Sequence, residues 1–326
     1  MRRTTALLAS ACLLALGALT ACGTDAVDAA GPDPTTTTTT DARDDPRPVV
    51  LTTFTVLADI VRNVAGEHVR VESLTRVGAE IHGYEPTPQD IARAAGADLV
   101  LDNGLGLEAW FAAFTTDSGA PHVTLSDGVE VLPIGEGSEY TGAANPHAWM
   151  SPSNVHVYLD AIVAALSDLA PEHADVFAAN AEDYGARVDA LRADLVDDLA
   201  AVEPDQRVLV TCEGAFSYLA ADVGLDEVYL WPVNAEQQST PRQVAAVIDE
   251  VRDRDVPAVF CESTVSATGM EQVALETGAT FGGTLYVDSL SQPDGPVPTY
   301  LDLLRHDATT IAAGLTGSTS TTTGDR

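Results

Sequence analysis

Between Val49 and Gly317 the chain alternates short apolar runs with amphipathic segments, and it does so twice. In the first half VVLTTF (49–54), VRVESLT (69–75), DLVLDNG (98–104) and HVTLSD (122–127) have strand length and are rich in Val, Leu and Thr. Helical patterns begin between them near Val56, Pro88 and Leu107. The second half repeats the scheme with RVLVTCE (207–213), EVYLWP (227–232), AVFCE (258–262) and FGGTLYVD (281–288), separated by helices starting near Ala215, Pro241 and Ser266. Strands that alternate with helices predict parallel sheets flanked by helices. The fold class expected is α/β, with two lobes, each a small parallel sheet flanked by helices.

From Pro171 to Val202 the alternation stops. Phe177, Ala181, Tyr184, Val188, Leu191, Leu195 and Leu199 recur every three or four residues and form one apolar stripe. No proline interrupts the run, and its one glycine, Gly185, falls off the stripe. About 28 helical residues would span roughly 42 Å, long enough to cross both lobes. The expected organisation is an N-terminal lobe over 49–172, a linking helix over 173–203 and a C-terminal lobe over 204–316.

The ends do not belong to this pattern. Met1-Arg2-Arg3, an apolar run from Ala6 to Leu19 and then LTAC ending at Cys22 read as a lipoprotein signal peptide over 1–21, with Cys22 as the lipidated residue. The apolar run is short for a membrane span. A plain secretory signal is the alternative. Residues 22–48, with six consecutive threonines at 35–40, and the tail 317–326 are too polar to bury a core and read as disordered.

Composition narrows the partners. Of 326 residues, 49 are Asp or Glu and 16 are Arg, with no lysine, giving a net charge of -33. Such a field repels nucleic acid and attracts cations, without locating a cation site.

Ligands of α/β sheets gather beyond the carboxyl ends of the strands, so His, Asp and Glu at those ends carry the chemistry. His82 precedes Thr87-Pro88-Gln89-Asp90, a cap-plus-proline helix start. In NPHAWMSPSN (145–154), His147 precedes Ser151-Pro152 in the same way. Glu213 ends RVLVTCE and Asp288 ends FGGTLYVD, where an acid faces desolvation and needs a partner, although either could instead cap a helix. His68, His122, His156, His173 and His306 have no such setting and read as structural or solvated. Two imidazoles and two carboxylates make a set for a divalent cation, with hard oxygen ligands suiting Mn²⁺ or Fe²⁺. An N/O set usually binds Zn²⁺ at least as tightly, so geometry and supply decide the metal. A metallohydrolase with Glu262 as base is a rival, but no HExxH helix occurs and four protein ligands tend to fill the coordination shell.

At HGYEPTPQD, NPHAWMSP, TCEGAFSYLA, YLWPVNAEQQSTP, VFCESTVS and LYVDSLS with GPVPTYLDLLRH, the sequence resembles the cluster A-I (cluster 9) metal-binding lipoproteins of bacterial ABC importers. Its likeness is greatest to the manganese-type members. The resemblance implies two α/β lobes joined by one rigid helix, and metal ligands at His82, His147, Glu213 and Asp288. It further implies a non-enzymatic role: capture of a divalent ion, Mn²⁺ before Zn²⁺ or Fe²⁺, and delivery to an ABC permease and its ATPase. The chain would act as a monomer held by lipid on Cys22 at the extracytoplasmic face. An adhesin or a metal chaperone would use the same ligands. Zinc-type relatives commonly carry His at the position of Glu213 and a His-rich loop between the first two ligands, and both are lacking here. If the strands ending at Cys212 and Cys261 are neighbours, those cysteines would form a disulfide beside Glu213, and otherwise two buried thiols.

Overall fold

The computed structural model describes residues 45–111, 119–135, 140–233 and 239–317. The signal segment, Cys22, most of the tether and all but the first residue of the tail lie outside them. Four parallel strands, β1 (Val49–Thr52), β2 (Arg70–Ser73), β3 (Leu99–Asp102) and β4 (His122–Thr124), make a sheet in the order β2-β1-β3-β4. Parallel strands need crossovers. Two of these are helices here, α1 (Thr55–Ala65) and α2 (Pro88–Ala95). The helix expected near Leu107 is not formed within the described residues, where Leu105–Phe111 run as turns.

The second half pairs β5 (Val208–Glu213) with β6 (Asp226–Trp231) and β7 (Ala258–Glu262) with β8 (Thr280–Leu285), both parallel. β5 lies beside β7, where a disulfide joins Cys212 to Cys261 with Cα atoms 4.9 Å apart. The crossovers are α5 (Ser217–Val223), α6 (Pro241–Asp253) and α7 (Thr268–Thr277). β8 stops at Leu285, so Asp288 stands three residues beyond the strand instead of ending it.

Between the sheets run α3 (Pro152–Leu169) and the long helix α4 (Ala174–Leu199), and α8 (Tyr300–Thr316) closes the described chain. The 26 residues of α4 extend about 39 Å. Its stripe is buried as the spacing requires, except for the half-buried Leu191. Gly185 is also buried, contrary to its expected place off the stripe. A Cβ there would lie 2.9 Å from the His156 ring and 3.4 Å from Leu159 on α3, so the missing side chain is what lets the two helices approach. α4 packs on α1, α3 and α8 and so touches elements of both halves.

The described residues from Pro46 onward form one compact unit. One apolar core runs through both halves, from Val50 and Phe54 by way of Trp149, Phe177 and Tyr184 to Phe260, Val287 and Leu304. A small second cluster under α2 (Leu51, Leu74, Ala94, Val100, Phe111) fills the other face of the first sheet. No helix among the described residues is long and apolar enough to cross a membrane.

Candidate metal centre

His82 sits in the irregular segment between β2 and α2. Its backbone is fixed from both sides. Downstream, Thr87 and Asp90 form a capping box in which Asp90 also accepts from the Tyr84 hydroxyl at 3.0 Å. Upstream, the Glu80 carboxylate accepts the His82 and Gly83 N–H groups at 2.6 and 2.9 Å. Trp110 Nε1 donates to the Ile81 carbonyl at 2.9 Å. The Arg93 guanidinium and several hydrogen bonds hold Asp90 ionised, with a pKa of about 2 against the pull of burial, so the cap persists at all ordinary pH.

His147 is fully buried just ahead of a 3₁₀ turn (Ala148–Met150) and the Ser151 cap of α3. Asn145 Oδ1 accepts both its backbone N–H, at 3.1 Å, and its ring Nδ1–H, at 3.0 Å. The amide can face only this way, because Asn145 Nδ2 donates to the Gly214 carbonyl at 2.8 Å and to Ser217 Oγ at 3.0 Å. The proton on Nδ1 leaves a lone pair on Nε2. Burial, and then the neighbouring His82, push the His147 pKa well below the usual imidazole value, so the ring is neutral.

Glu213 is the last residue of β5 and Asp288 follows β8; they are 1% and 2% exposed. Gly214 must be glycine, since a Cβ there would lie 2.5 Å from the Pro232 carbonyl oxygen. Behind Glu213, its backbone N–H points at the buried Glu262 carboxyl at 3.2 Å. Burial raises the Glu262 pKa to about 8. Asp288 is raised to about 6, first by burial; His82 opposes the rise and the nearby Glu80 adds to it.

Two of the four side chains come from each half; His82, His147 and Asp288 bring ligand atoms within 4.8 Å of one another, and Glu213 reaches this group through His82. His82 Nε2 is 3.1 Å from His147 Nε2 and 3.6 Å from Glu213 Oε1, and His147 Nε2 is 3.8 Å from Asp288 Oδ1. Donors that share one ion at about 2.1 Å cannot be more than about 4.2 Å apart, and all three separations fall inside that limit. Asp288 Oδ1 is buried without a hydrogen-bond partner. Such an atom costs free energy unless a cation faces it.

The other histidines are elsewhere. His68 stacks on His173 with ring centres 3.8 Å apart, His122 pairs with Asp102 at 3.1 Å, exposed His156 with Asp189 at 2.8 Å, and His306 faces the Thr284 carbonyl at 3.0 Å. Cys212 and Cys261 are bonded to each other and offer no thiolate. Sequence reasoning missed Asn145 and Glu80. The signal was present: each lies two residues before a histidine, the spacing at which a side-chain oxygen accepts a backbone N–H in a local turn.

Comparison with known proteins gives the family. Residues 50–314 match the family described as ZnuA, zinc-uptake complex component A, periplasmic. The iron-binding protein YfeA of Yersinia pestis is 52% identical over 266 residues, 81% of this chain and 85% of that protein. The manganese-binding lipoprotein MntA of Halalkalibacterium halodurans is 33% identical over 267 residues, 82% of this chain and 88% of its own length. The solved Mn-bound periplasmic metal binding protein from Candidatus Liberibacter asiaticus superposes with a TM-score of 0.77 at 39% identity, covering 82% of this chain and 100% of that one. With a match that runs through both sheets, the chain belongs to the ZnuA family, the metal-binding solute receptors of ABC importers, and is not an enzyme.

Proposed function

We propose that His82, His147, Glu213 and Asp288 together hold one divalent cation, and that the chain carries Mn²⁺ to the permease and ATPase of an ABC importer. The observation that carries this reading is the convergence of the His82 and His147 imidazole nitrogens with the buried Asp288 carboxylate, joined by Glu213 at 3.6 Å from His82, with Asp288 Oδ1 buried without a hydrogen-bond partner. A divalent cation is a favourable partner for imidazole nitrogens and carboxylate oxygens alike. Manganese is favoured by the donor set: hard carboxylate oxygens with two imidazoles, and no thiolate because both cysteines are in the disulfide. The relative from Halalkalibacterium halodurans is named manganese-binding. Iron is the second reading, because the 52% identical relative from Yersinia pestis is named iron-binding and the same donors suit Fe²⁺. The LTAC signal at Cys22, and the lipoprotein name of the manganese-binding relative, support a lipid anchor on the extracytoplasmic face.

Competition of Mn²⁺, Fe²⁺ and Zn²⁺ for the metal-free protein, with metal analysis of protein isolated from cells, tests both parts. The quadruple alanine variant at 82, 147, 213 and 288 should bind none of them; an ion retained by it would remove the site. Glu213→His should move preference towards Zn²⁺ by about tenfold or more, as an imidazole replaces a hard oxygen donor. Unchanged relative affinities would take selectivity away from Glu213.

A further inference from the structure

Beside Asp288 the two halves leave a cavity of about 330 Å³, lined by Gly78 and Glu80 from the first half and by Ser263, Thr264, Ser289 and Ser291 from the second. Its inner wall belongs to the metal centre: the Thr264 side chain hydrogen-bonds the Asp288 carboxylate, and Ser289, next to Asp288 in the chain, accepts the Gly78 N–H at 2.6 Å. The hydroxyls of Ser289 and Ser291 are already spent on the carbonyls of Leu290 and Gln292, at 3.1 and 3.0 Å. Among the described residues that line the cavity, Glu80 alone carries a formal charge. Each of its oxygens accepts one backbone N–H, so a lone pair on each is still available.

An ion in solvent arrives wrapped in water. His147, Glu213 and Asp288 are 0%, 1% and 2% exposed, so the ion cannot reach them without passing a wall of the protein and shedding that water. Six waters at about 30 Å³ each occupy about 180 Å³. The cavity has room for such an ion, its lining residues Thr264 and Ser289 adjoin Asp288, and it holds a carboxylate whose oxygens can accept from bound water.

We propose that this cavity is the entry vestibule of the metal centre and that Glu80 is its transit ligand, which takes up a hydrated divalent cation and passes it to Asp288. The inference rests on the binding role proposed above for the four buried side chains. Glu80 has a second part in the same event. A cation that draws its carboxylate outward weakens the hydrogen bonds to His82 and Gly83, so arrival of the ion loosens the turn that bears His82 while the ion passes to the buried donors.

Stopped-flow association of Mn²⁺ with the full metal-free chain, at several ionic strengths, tests this, with dissociation measured separately by chelator chase. Glu80→Gln should slow association by about tenfold at low salt, and the gap to the unaltered protein should narrow as salt rises, because the lost interaction is a charge on a partly solvated path. Glu80→Asp keeps the charge and should stay within about twofold in association, although it shortens the reach to His82 and Gly83. A Glu80 that only braces the His82 turn would give the opposite pattern: faster dissociation in both variants with association unchanged, which would overturn the proposal. Ser263→Lys sets a fixed cation in the cavity without touching the turn, and it covers the case in which Glu80→Gln does not fold. It should slow association and leave dissociation alone; unchanged association would move the entry path elsewhere. An unaltered chain that takes up no Mn²⁺ is a different failure, of the four-ligand centre itself.

Discussion

Each imidazole of the centre is aimed by an oxygen two residues upstream, and the two oxygens do different work. Glu80 holds only the backbone of His82 and Gly83. Asn145 holds the backbone and the ring of His147 and at the same time reaches across to Gly214, the neighbour of Glu213. One amide thus sets the tautomer of a nitrogen donor and the distance between ligands of opposite halves. Groups that orient metal ligands in this way are typically worth about 10- to 100-fold in affinity. Asn145→Ala should lower metal affinity by about that factor. It should also release the His147 ring to exchange between Nδ1–H and Nε2–H forms, visible in its ¹⁵N shifts. Retention of both affinity and a single tautomer would mean that packing against Trp149, whose ring centre is 5.2 Å from that of His147, is enough to hold the ring. At this scale the four candidate ligand positions were legible because each stands at or just beyond a strand end or before a proline-marked helix start. Their supports were harder to read, since an Asn or a Glu two residues before a His is also an ordinary turn residue.

At the scale of elements, Glu213 depends on β5 lying beside β7. The strands end in Cys212-Glu213 and Cys261-Glu262, and the disulfide ties one end to the other, one residue short of a ligand. The covalent loop encloses a separation of 49 residues, worth about 4 kcal/mol in chain entropy. The double variant Cys212→Ala, Cys261→Ala should melt about 10 °C lower. It should also bind metal more weakly, because the end of β5 is then held to β7 by the Glu213 N–H to Glu262 contact without the covalent tie. A variant with the melting temperature and affinity of the unaltered protein would show that the bond is incidental. The eight strands and most helices followed from apolar runs and cap residues such as Thr87-Pro88, Ser151-Pro152 and Thr240-Pro241. Two misplacements have separate causes: FGGTLYVD stays apolar past Leu285, where the strand has already ended, and Gly185 carries no side chain by which a stripe could include it.

For the whole molecule the two halves are fastened by more than α4. Trp149 Nε1 donates to the Val287 carbonyl at 3.2 Å, the Leu290 N–H to Thr55 Oγ1 at 3.0 Å, and the Tyr300 N–H to Asp59 at 2.9 Å. Several buried acids share this interior. Glu108, 5% exposed, accepts from the Thr53 hydroxyl and the Asn103 N–H, both at 2.8 Å, and burial is the main reason its pKa rises to about 7. The sign follows from proton counting. Between the ordinary glutamate value and about 7 the folded chain holds a proton that the unfolded chain has released, so this group's stabilisation is full at low pH and is lost as pH rises through about 7. The metal-free protein should therefore melt several degrees lower at pH 8.5 than at pH 5.5. Glu108→Gln should flatten that slope; a slope equal to that of the unaltered chain would place its origin in other groups.

Length, periodicity and caps are local properties, and they determined the α/β alternation, the long helix and the four places where a ligand could stand. Local properties do not fix which strand lies beside which, because that depends on contacts between residues dozens or hundreds of positions apart. Tertiary structure alone decided that one core joins both halves, that Cys212 meets Cys261, and that Asn145 spans from His147 to Gly214. It alone brought imidazoles 65 residues apart to 3.1 Å, because burying the apolar faces of both sheets on shared helices pulls the strand ends together at one point.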